Sequence, residues 1–489
     1  MGREEEIIKE RERKIQELKK AGVNPYAYRF DKKNLVSDCL KGKINDGVKT
    51  AGRIMTKREI GRIAFSVLQD FTGRIQLVFQ DTSNAGGTGK KDFDFFRRYI
   101  DIGDIVGVEG KIFRTKTGEH SILVKKLKLL TKSLLPLPDK WHGLQDKEER
   151  YRKRYLDLIM NPEIRKVFDI KRKIFDSIRE FMKSRGFQEV ETPILQPIYG
   201  GTNARPFSSE LNALKMKVYM RISNEMYLKR LIVGGYERIF EFSADFRNEG
   251  IDRHHNPEFT QVETMWAYAD YKDNMKFAED MISFVCKKIH GKTKIKINGK
   301  ELDFKTPWKR LSFLDGIKIE TKKDFSKIKN LGEAKKAAEK VGVDVSKAET
   351  IGEVMISVFE EKVQPSMIQP TIVYDYPLEA AGLAKATEDD EMFVSSFEVI
   401  INGMELGLSY CEQNDPQALE KYWRFAEEKF KRGDLEAQPT DSDFINALKI
   451  GMPPTSGLGV GIDRLAILLT DSPSIKDVIL FPFMKPEEK

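Results

Sequence analysis

Residues 240–271, FEFSADFRNEGIDRHHNPEFTQVETMWAYADY, constrain the fold of this chain more than any other stretch, because two arms of alternating side chains enclose a short, highly charged loop. In the first arm Phe240, Phe242, Ala244 and Phe246 share one face, while Glu241, Ser243, Asp245 and Arg247 share the other. In the second, Phe259, Gln261, Glu263 and Met265 lie opposite Val262, Thr264, Trp266 and Tyr268. The spacing predicts a β-hairpin with one face in a core. The other face brings an arginine, a glutamate and an aromatic ring together. Residues 248–257 between the arms hold Glu249, Asp252, Arg253, His254, His255 and Asn256, with little beyond Ile251 to bury. By composition alone this is either a surface hairpin with a solvated tip or a site for a polyanion.

The wording of the segment points to the second. FRNEG followed by RHHNPEF resembles motif 2 of the class II aminoacyl-tRNA synthetases, in the subgroup for lysine, aspartate and asparagine. A second hairpin is predicted in residues 391–412, EMFVSSFEVIINGMELGLSYCE, where Asn402-Gly403 is a strong signal for a two-residue turn. That turn sets Ile401 opposite Met404, Ile400 opposite Glu405 and Glu398 opposite Gly407. Glu398 and Glu405 then become diagonal neighbours on one face. Two unpaired carboxylates so close repel, and Mg2+ shared with ATP phosphates is the cation that suits them. Strict alternation puts Glu412 on the face away from Glu405, so Glu412 joins the pair only if a bulge or twist follows Gly407.

Near the C-terminus, PPTSGLGVGIDRLAILLT runs from a glycine-interrupted strand into an apolar helix. Gly457, Gly459 and Gly461 lack the spacing and the βαβ setting of a dinucleotide fingerprint. Glycines on a strand instead let a flat group lie against backbone. Arg464 falls in the first turn of the helix, where the dipole disfavours a cation, so its placement needs another reason. The passage resembles motif 3 of the same family. Upstream, FQEVETPILQP resembles motif 1, with Pro193 as its hallmark.

These resemblances cover most of the chain and are closest to the lysyl branch. They imply an α+β protein: an N-terminal OB-fold barrel followed by a class II catalytic domain built on a mostly antiparallel sheet flanked by helices. The implied activity is ATP-dependent formation of lysyl-adenylate and transfer to tRNA(Lys). Arg247 would bridge carboxylate and α-phosphate, and Glu398 and Glu405 would hold Mg2+. Arg464 would cover adenine opposite Phe259, an arrangement that planar guanidinium and ring suit. Glu249 would recognise adenine, and His255 and Asn256 the tail of ATP. Gly201 and Glu225 would take the α-ammonium group, and Glu263 and Glu412 the side-chain ammonium. Met265 stands where the family usually has tyrosine and Leu408 where it usually has asparagine, so lysine is expected with altered side-chain contacts. A homodimer through the helix of residues 163–184 and motif 1 is also implied. The other classes considered are a protein-modifying relative and a non-catalytic tRNA-binding paralogue.

The first third of the chain has its own logic. Residues 3–20 place acids before bases, as a helix dipole favours, and head an extension over residues 1–47. Five β-like runs between residues 48 and 130, with a loop-rich gap at 82–94, predict an OB-type barrel within 48–135. The resemblance assigns Phe65, Gln76 and Glu119 there to the tRNA anticodon, with Phe65 stacking on a base. Residues 136–162, with Pro136, Pro138 and a basic run from Arg150 to Arg154, read as a linker; the run is either an exposed helix face or a phosphate contact. Residues 163–489 would form the catalytic domain, with a Lys- and Glu-rich helical insertion at about 310–365 in a stretch that looks helical from 290 onward.

The 489 residues carry a net charge of +8, a mixed surface that permits nucleic-acid binding without requiring it. Three cysteines and five histidines show no zinc spacing. No apolar run approaches the about 20 residues needed to span a bilayer, and a cytoplasmic protein without a membrane partner is expected.

Overall fold

The computed structural model describes residues 2–81, 87–138, 144, 146–380, 382–431 and 439–487. The chain divides into two compact units, Met1–Pro162 and Glu163–Lys489.

The first unit opens with helix α1 (Arg3–Lys20), whose buried face is Arg11, Ile15 and Leu18. Arg11 is buried usefully: its guanidinium donates to the carbonyls of Ile102 (2.8 Å) and Leu135 (2.9 Å). After the short helix α2 (Val36–Lys41) come strands β1 (Gly47–Ile60), β2 (Ile63–Asp70), β3 (Gly73–Gln80), β4 (Ile105–Arg114) and β5 (His120–Thr131). They close into a barrel in the order β1-β2-β3-β5-β4, with parallel β3–β5 pairing as the closing seam. Ile54, Leu68, Leu77, Phe79, Val108 and Ile122 fill its interior. The expected loop-rich gap is a loop only in part. Residues 82–86 lie outside the described residues, but from Gly89 the chain forms helix α3 (Gly89–Tyr99). Phe93 and Phe96 bury its one apolar edge, and Phe96 stacks on Phe79 at 4.0 Å. Of the expected linker, residues 139–143 and 145 lie outside the described residues. The remainder forms helices α4 (Lys147–Arg152) and α5 (Arg154–Met160). Asp157 pairs with Arg150 (2.8 Å) and with fully buried Arg154 (2.7 Å), so this part of the basic run serves the fold.

A 3-10 turn, Pro162–Ile164, spans the boundary, and the first helix of the second unit is α6 (Arg165–Ser184). Its strands, in chain order, start with β6 (Gln188–Glu189) and with β7 (Leu195–Gln196), β8 (Ser208–Leu211) and β9 (Met216–Met220), which form a small sheet β7-β9-β8. Helix α7 (Glu225–Val233) precedes the expected hairpin, β10 (Arg238–Phe246) and β11 (Glu258–Ala267), and α8 (Tyr271–His290) follows it. The hairpin register pairs Glu241 with Glu263 and Asp245 with Phe259. Next come β12 (Lys294–Ile297) and β13 (Lys300–Asp303), a two-stranded hairpin, and then β14 (Lys309–Ser312), a strand of the main sheet. The helical reading from residue 290 is therefore corrected. Asn298 and Gly299, both at positive φ, make a tight turn that the surrounding lysines obscured. The helices begin beyond it, as α9 (Phe313–Thr321), α10 (Leu331–Glu339) and α11 (Ile351–Val358).

The main sheet is completed by β15 (Thr371–Pro377), β16 (Phe393–Ile401), β17 (Met404–Cys411) and β18 (Thr455–Gly461), in the order β14-β15-β16-β17-β18-β11-β10-β6. Between β17 and β18 lie α12 (Pro416–Lys431) and α13 (Ser442–Ile450), and α14 (Ile462–Thr470) follows β18. All neighbours are antiparallel except β14–β15 and β10–β6. One face of the sheet buries Phe240, Val262, Val399 and Val460 beneath Ile174 and Ile178 of α6, Met281 and Ile282 of α8, and Leu465 and Leu468 of α14. The opposite face is shared between α9–α11, whose apolar residues pack on Val373, Val394 and Ile400, and a polar cavity.

One register expectation is overturned. The turn at Asn402-Gly403 does set Ile401 opposite Met404 and Ile400 opposite Glu405, but Val399 pairs with Gly407 and Glu398 with Leu408. Leu406 is an extra residue, a β-bulge buried on the helix-covered side. It reverses the alternation from that point. Leu408, Tyr410 and Glu412 therefore share the face of Glu405, through a bulge that comes before Gly407, where the alternation argument placed it after.

Candidate active site

A cavity of about 350 Å³ opens on that polar face. Gly201, Glu225, Arg247, Glu249, His255, Asn256, Phe259, Glu263, Glu398, Glu405, Glu412 and Arg464 all line it. They come from the loop ahead of β8, the start of α7, both arms and the tip of the first hairpin, both arms of the second, and the first turn of α14.

One end of the cavity is acidic and buried. Glu225, Glu263 and Glu412 are each nearly inaccessible. Lys229, one turn after Glu225 on α7, reaches Glu225 Oε1 at 2.5 Å and also pairs with Glu412 Oε2. The Tyr410 hydroxyl donates to Glu225 Oε2 at 2.5 Å. Burial opposes the charge on Lys229, but Glu225 and Glu412 outweigh it and hold the ammonium group more basic than usual. Burial pushes Glu412 up to about 8 against the pull of Lys229. Glu263 is raised well above the carboxylate range, first by burial and then by Glu225, Asp245 and Glu412. Its recorded hydrogen bond comes from Gln261 Nε2 at 3.1 Å. Three carboxyl groups against one ammonium leave this end with more acid than base, and a bound cation would favour their charged forms. Two glycines shape it. Gly201, at φ 96°, packs against Ser223 and Glu225, and a Cβ on Gly457 would collide with Glu412 Oε1. Met265 is buried beside Gly457, and Leu408 lines the cavity.

The middle is cationic. Arg247 continues the polar face of β10, its backbone N–H donating to Pro257 O (2.9 Å) and its Nε to Ile222 O (3.3 Å). Its guanidinium lies over the Phe259 ring, 5.0 Å from the centroid. Behind it, Asp245 is raised to about 7 by burial, with Arg221 (3.3 Å) and Arg247 opposing the shift.

The far end joins a third set of groups. Arg464 Nη1 donates to the Glu405 carboxylate (2.9 Å) and to the Glu405 carbonyl (2.8 Å), while Nη2 lies 3.2 Å from His255 Nε2. His255 Nδ1 lies 2.7 Å from Asp252. The Tyr376 hydroxyl donates to Glu398 at 2.8 Å. Burial, and after it Glu405, raises Glu398 to about 8. Arg464 thus owes its place in the first turn of α14 to Glu405 rather than to the helix dipole. Gly459 and Gly461 carry no side chain into the cavity, and a Cβ at either would meet nothing closer than 3.6 Å. The open strand surface beside Arg464 has the form a flat ring requires.

In the barrel, Phe65 on β2 and Gln76 on β3 are half-buried on the outward face, and Glu119 is exposed ahead of β5. Gln76 Nε2 donates to the Glu119 carboxylate, so these two residues already meet.

Comparison with known proteins decides the family. Residues 146–485 match the family described as tRNA synthetases class II (D, K and N), and residues 48–130 match the OB-fold nucleic acid binding domain. A lysine–tRNA ligase of Pelotomaculum thermopropionicum is 46% identical, with 100% of this chain and 97% of the relative covered. The corresponding ligase of Thermoanaerobacter pseudethanolicus is 47% identical over 99% and 96%. That of Carboxydothermus hydrogenoformans is 44% identical over 99% of both. The chain belongs to the lysine–tRNA ligase family of class II synthetases. Among the described residues of this synthetase, no helix is long and apolar enough to cross a membrane.

Sequence reasoning missed several groups of the synthetase's cavity. Lys229 and Tyr410 hold the acidic end, Tyr376 holds Glu398, and Glu360, in the turn Phe359–Val363, feels the charge of Glu405. Only Lys229 had a local signal, an i,i+4 pairing with Glu225 on a helix.

Proposed function

We propose that this cavity activates lysine with ATP and passes the lysyl group to the 3′ end of tRNA(Lys), with the residues in the roles that follow. The observation that carries the proposal is the order of charge along one cavity: buried carboxylates in excess, then Arg247 over Phe259, then Glu398 and Glu405 beside Arg464. Glu225 with Gly201 would receive the α-ammonium group of lysine, and Glu263 and Glu412 its side-chain ammonium. Both cations would complement this buried acidic cluster, and the side-chain ammonium would favour the charged forms of Glu263 and Glu412, which burial opposes. The lysine carboxylate would lie at Arg247, which also binds the α-phosphate. A carboxylate oxygen then attacks the α-phosphorus, the bond to pyrophosphate breaks, and lysyl-adenylate forms. Arg247 stabilises the charge that gathers on the phosphoryl oxygens. No general base is required, because a carboxylate is already nucleophilic at neutral pH.

Arg464 would swing its plane over adenine opposite Phe259, with Glu249 on the adenine edge and His255 and Asn256 at the phosphate tail. Glu398 and Glu405 fit Mg2+ as hard oxygen donors, each with one oxygen outside its bond to Tyr376 or Arg464. Among the described residues no cluster of three or more His, Cys, Asp or Glu is placed to hold a metal. Phosphate and water would therefore complete the shell, and the bound ion would supply positive charge at the phosphates. Phe65, Gln76 and Glu119 would read the anticodon on the barrel.

A second copy of the chain would cover Ile194, Leu195, Leu211 and Leu214, which are exposed on β7, β8 and the segment around them. Acting on tRNA, the enzyme would work in the cytoplasm. Charging of total tRNA with labelled lysine tests the reading. Lysine bound to tRNA in an ATP-dependent reaction supports it, and adenylate formation without tRNA charging refutes it.

A further inference from the structure

Lys229 takes no part in the reaction just described, yet it is a buried charge held against the acidic end of the cavity. Its side chain is 2% exposed, comes from α7, and ends between Glu225 and Glu412. The Tyr410 ring lies beneath the ammonium group, 5.7 Å from Nζ to centroid. The charged and titratable groups facing it are Glu225 on its own helix, Glu412 and Tyr410 from the β17 end, and Glu263 from β11. Asp245 on β10 stands behind Glu263. A lone lysine in such a place would lose its proton, and two lone carboxylates would gain one. Packed together, the three groups lock each other's rotamers.

We propose that Lys229 is a positioning residue, an internal counter-ion that holds Glu225 and Glu412 at a fixed separation, so that the site reads the distance between the two ammonium groups of its substrate. This rests on Glu225 and Glu412 being the lysine-binding carboxylates. The pocket is then preformed for a diamine of one length. Without Lys229, Glu225 and Glu412 would lose the group that bridges them, and Glu412 the pull that opposes its burial.

The experiment is lysine- and ornithine-dependent ATP–pyrophosphate exchange by the full-length enzyme carrying Lys229→Met, Lys229→Arg or Glu412→Gln. Glu412→Gln tests the underlying reading, and an unchanged KM for lysine in that variant means that the reading, not the role of Lys229, has failed. With Glu412→Gln impaired, Lys229→Met is expected to raise the KM for lysine by roughly a hundredfold. It should change kcat and the KM for ATP by less than about threefold and lower the preference for lysine over ornithine. The fall in lysine KM with rising pH should move to higher pH than in the parent, because Glu412 loses the lowering pull of Lys229. Lys229→Arg, which keeps the charge, should recover part of the lysine affinity. If Lys229→Met fails to fold, Lys229→Arg decides by itself: a shifted lysine-to-ornithine preference supports the proposal, and an unshifted one overturns it. A Lys229→Met enzyme with parental KM, discrimination and pH profile also overturns it.

Discussion

Arg247 is tied to the fold by one long side-chain bond, to the Ile222 carbonyl at 3.3 Å, and otherwise rests its plane on Phe259. Its charge is thus left for a ligand. Replacing it with alanine is expected to lower kcat/KM in pyrophosphate exchange by about 10³-fold or more, while the melting temperature stays within about 2 °C of the parent. Parallel kinetics and calorimetry check both. Arg247, Phe259 and Glu263 were legible in the sequence because a period of two forces them onto one face, and Glu405 because a two-residue turn sets its register near the tip; Glu398 was placed on the right face but against the wrong partner, since it lies beyond the bulge. Lys229 and Tyr410 were not, because their roles arise only when α7 packs against the end of β17, a contact between residues 225 and 410 that no local pattern encodes.

At the scale of elements, the bulge at Leu406 lets a single strand serve both ends of the cavity, with Glu405 beside Arg464 and Glu412 at the buried acidic end. Deleting Leu406 should restore strict alternation and turn Tyr410 and Glu412 towards the helices, abolishing lysine-dependent exchange, as a direct assay would show. Gly457 is the matching feature on β18. In Gly457→Ala the new methyl group would press on Glu412, which Lys229 already pins. The expected result is a KM for lysine raised about tenfold or more with the KM for ATP unchanged; a rise in the KM for ATP alone would contradict the assignment. Both hairpins around the cavity were readable from alternation and turn chemistry. The bulge was not placed, since one extra residue leaves no mark on composition. Helix α3 was missed because Phe93 and Phe96 are its only fully buried side chains, and the β12–β13 hairpin because its four-residue strands are half lysine and glutamate.

The whole molecule divides its work between two units, and each gives a separate prediction. Phe65→Ala on the barrel should weaken tRNA binding by about 1–3 kcal/mol, the worth of one stacked base, and leave tRNA-independent exchange untouched; a loss of exchange would contradict this division. In the catalytic unit, Asp245 and Glu412 are raised to about 7 and about 8, in both cases chiefly by burial. The folded state therefore holds protons that the unfolded chain has already released. The stability they contribute is complete below the ordinary carboxylate range and is lost as pH rises through about 7 and about 8. Without added lysine, the melting temperature should fall between about pH 6 and about pH 8.5, and the increment produced by lysine should grow over the same range. The two-unit plan and the order of the motifs could be read from the sequence, because each unit carries its own periodicity; the net charge balance of the cavity could not, because it depends on which acids are buried together. The most direct test of the central claim is ATP–pyrophosphate exchange measured with each of the amino acids in turn, without tRNA. Lysine is predicted to stimulate exchange most strongly despite Met265 and Leu408. Stronger stimulation by another amino acid, or none by any, would contradict the account.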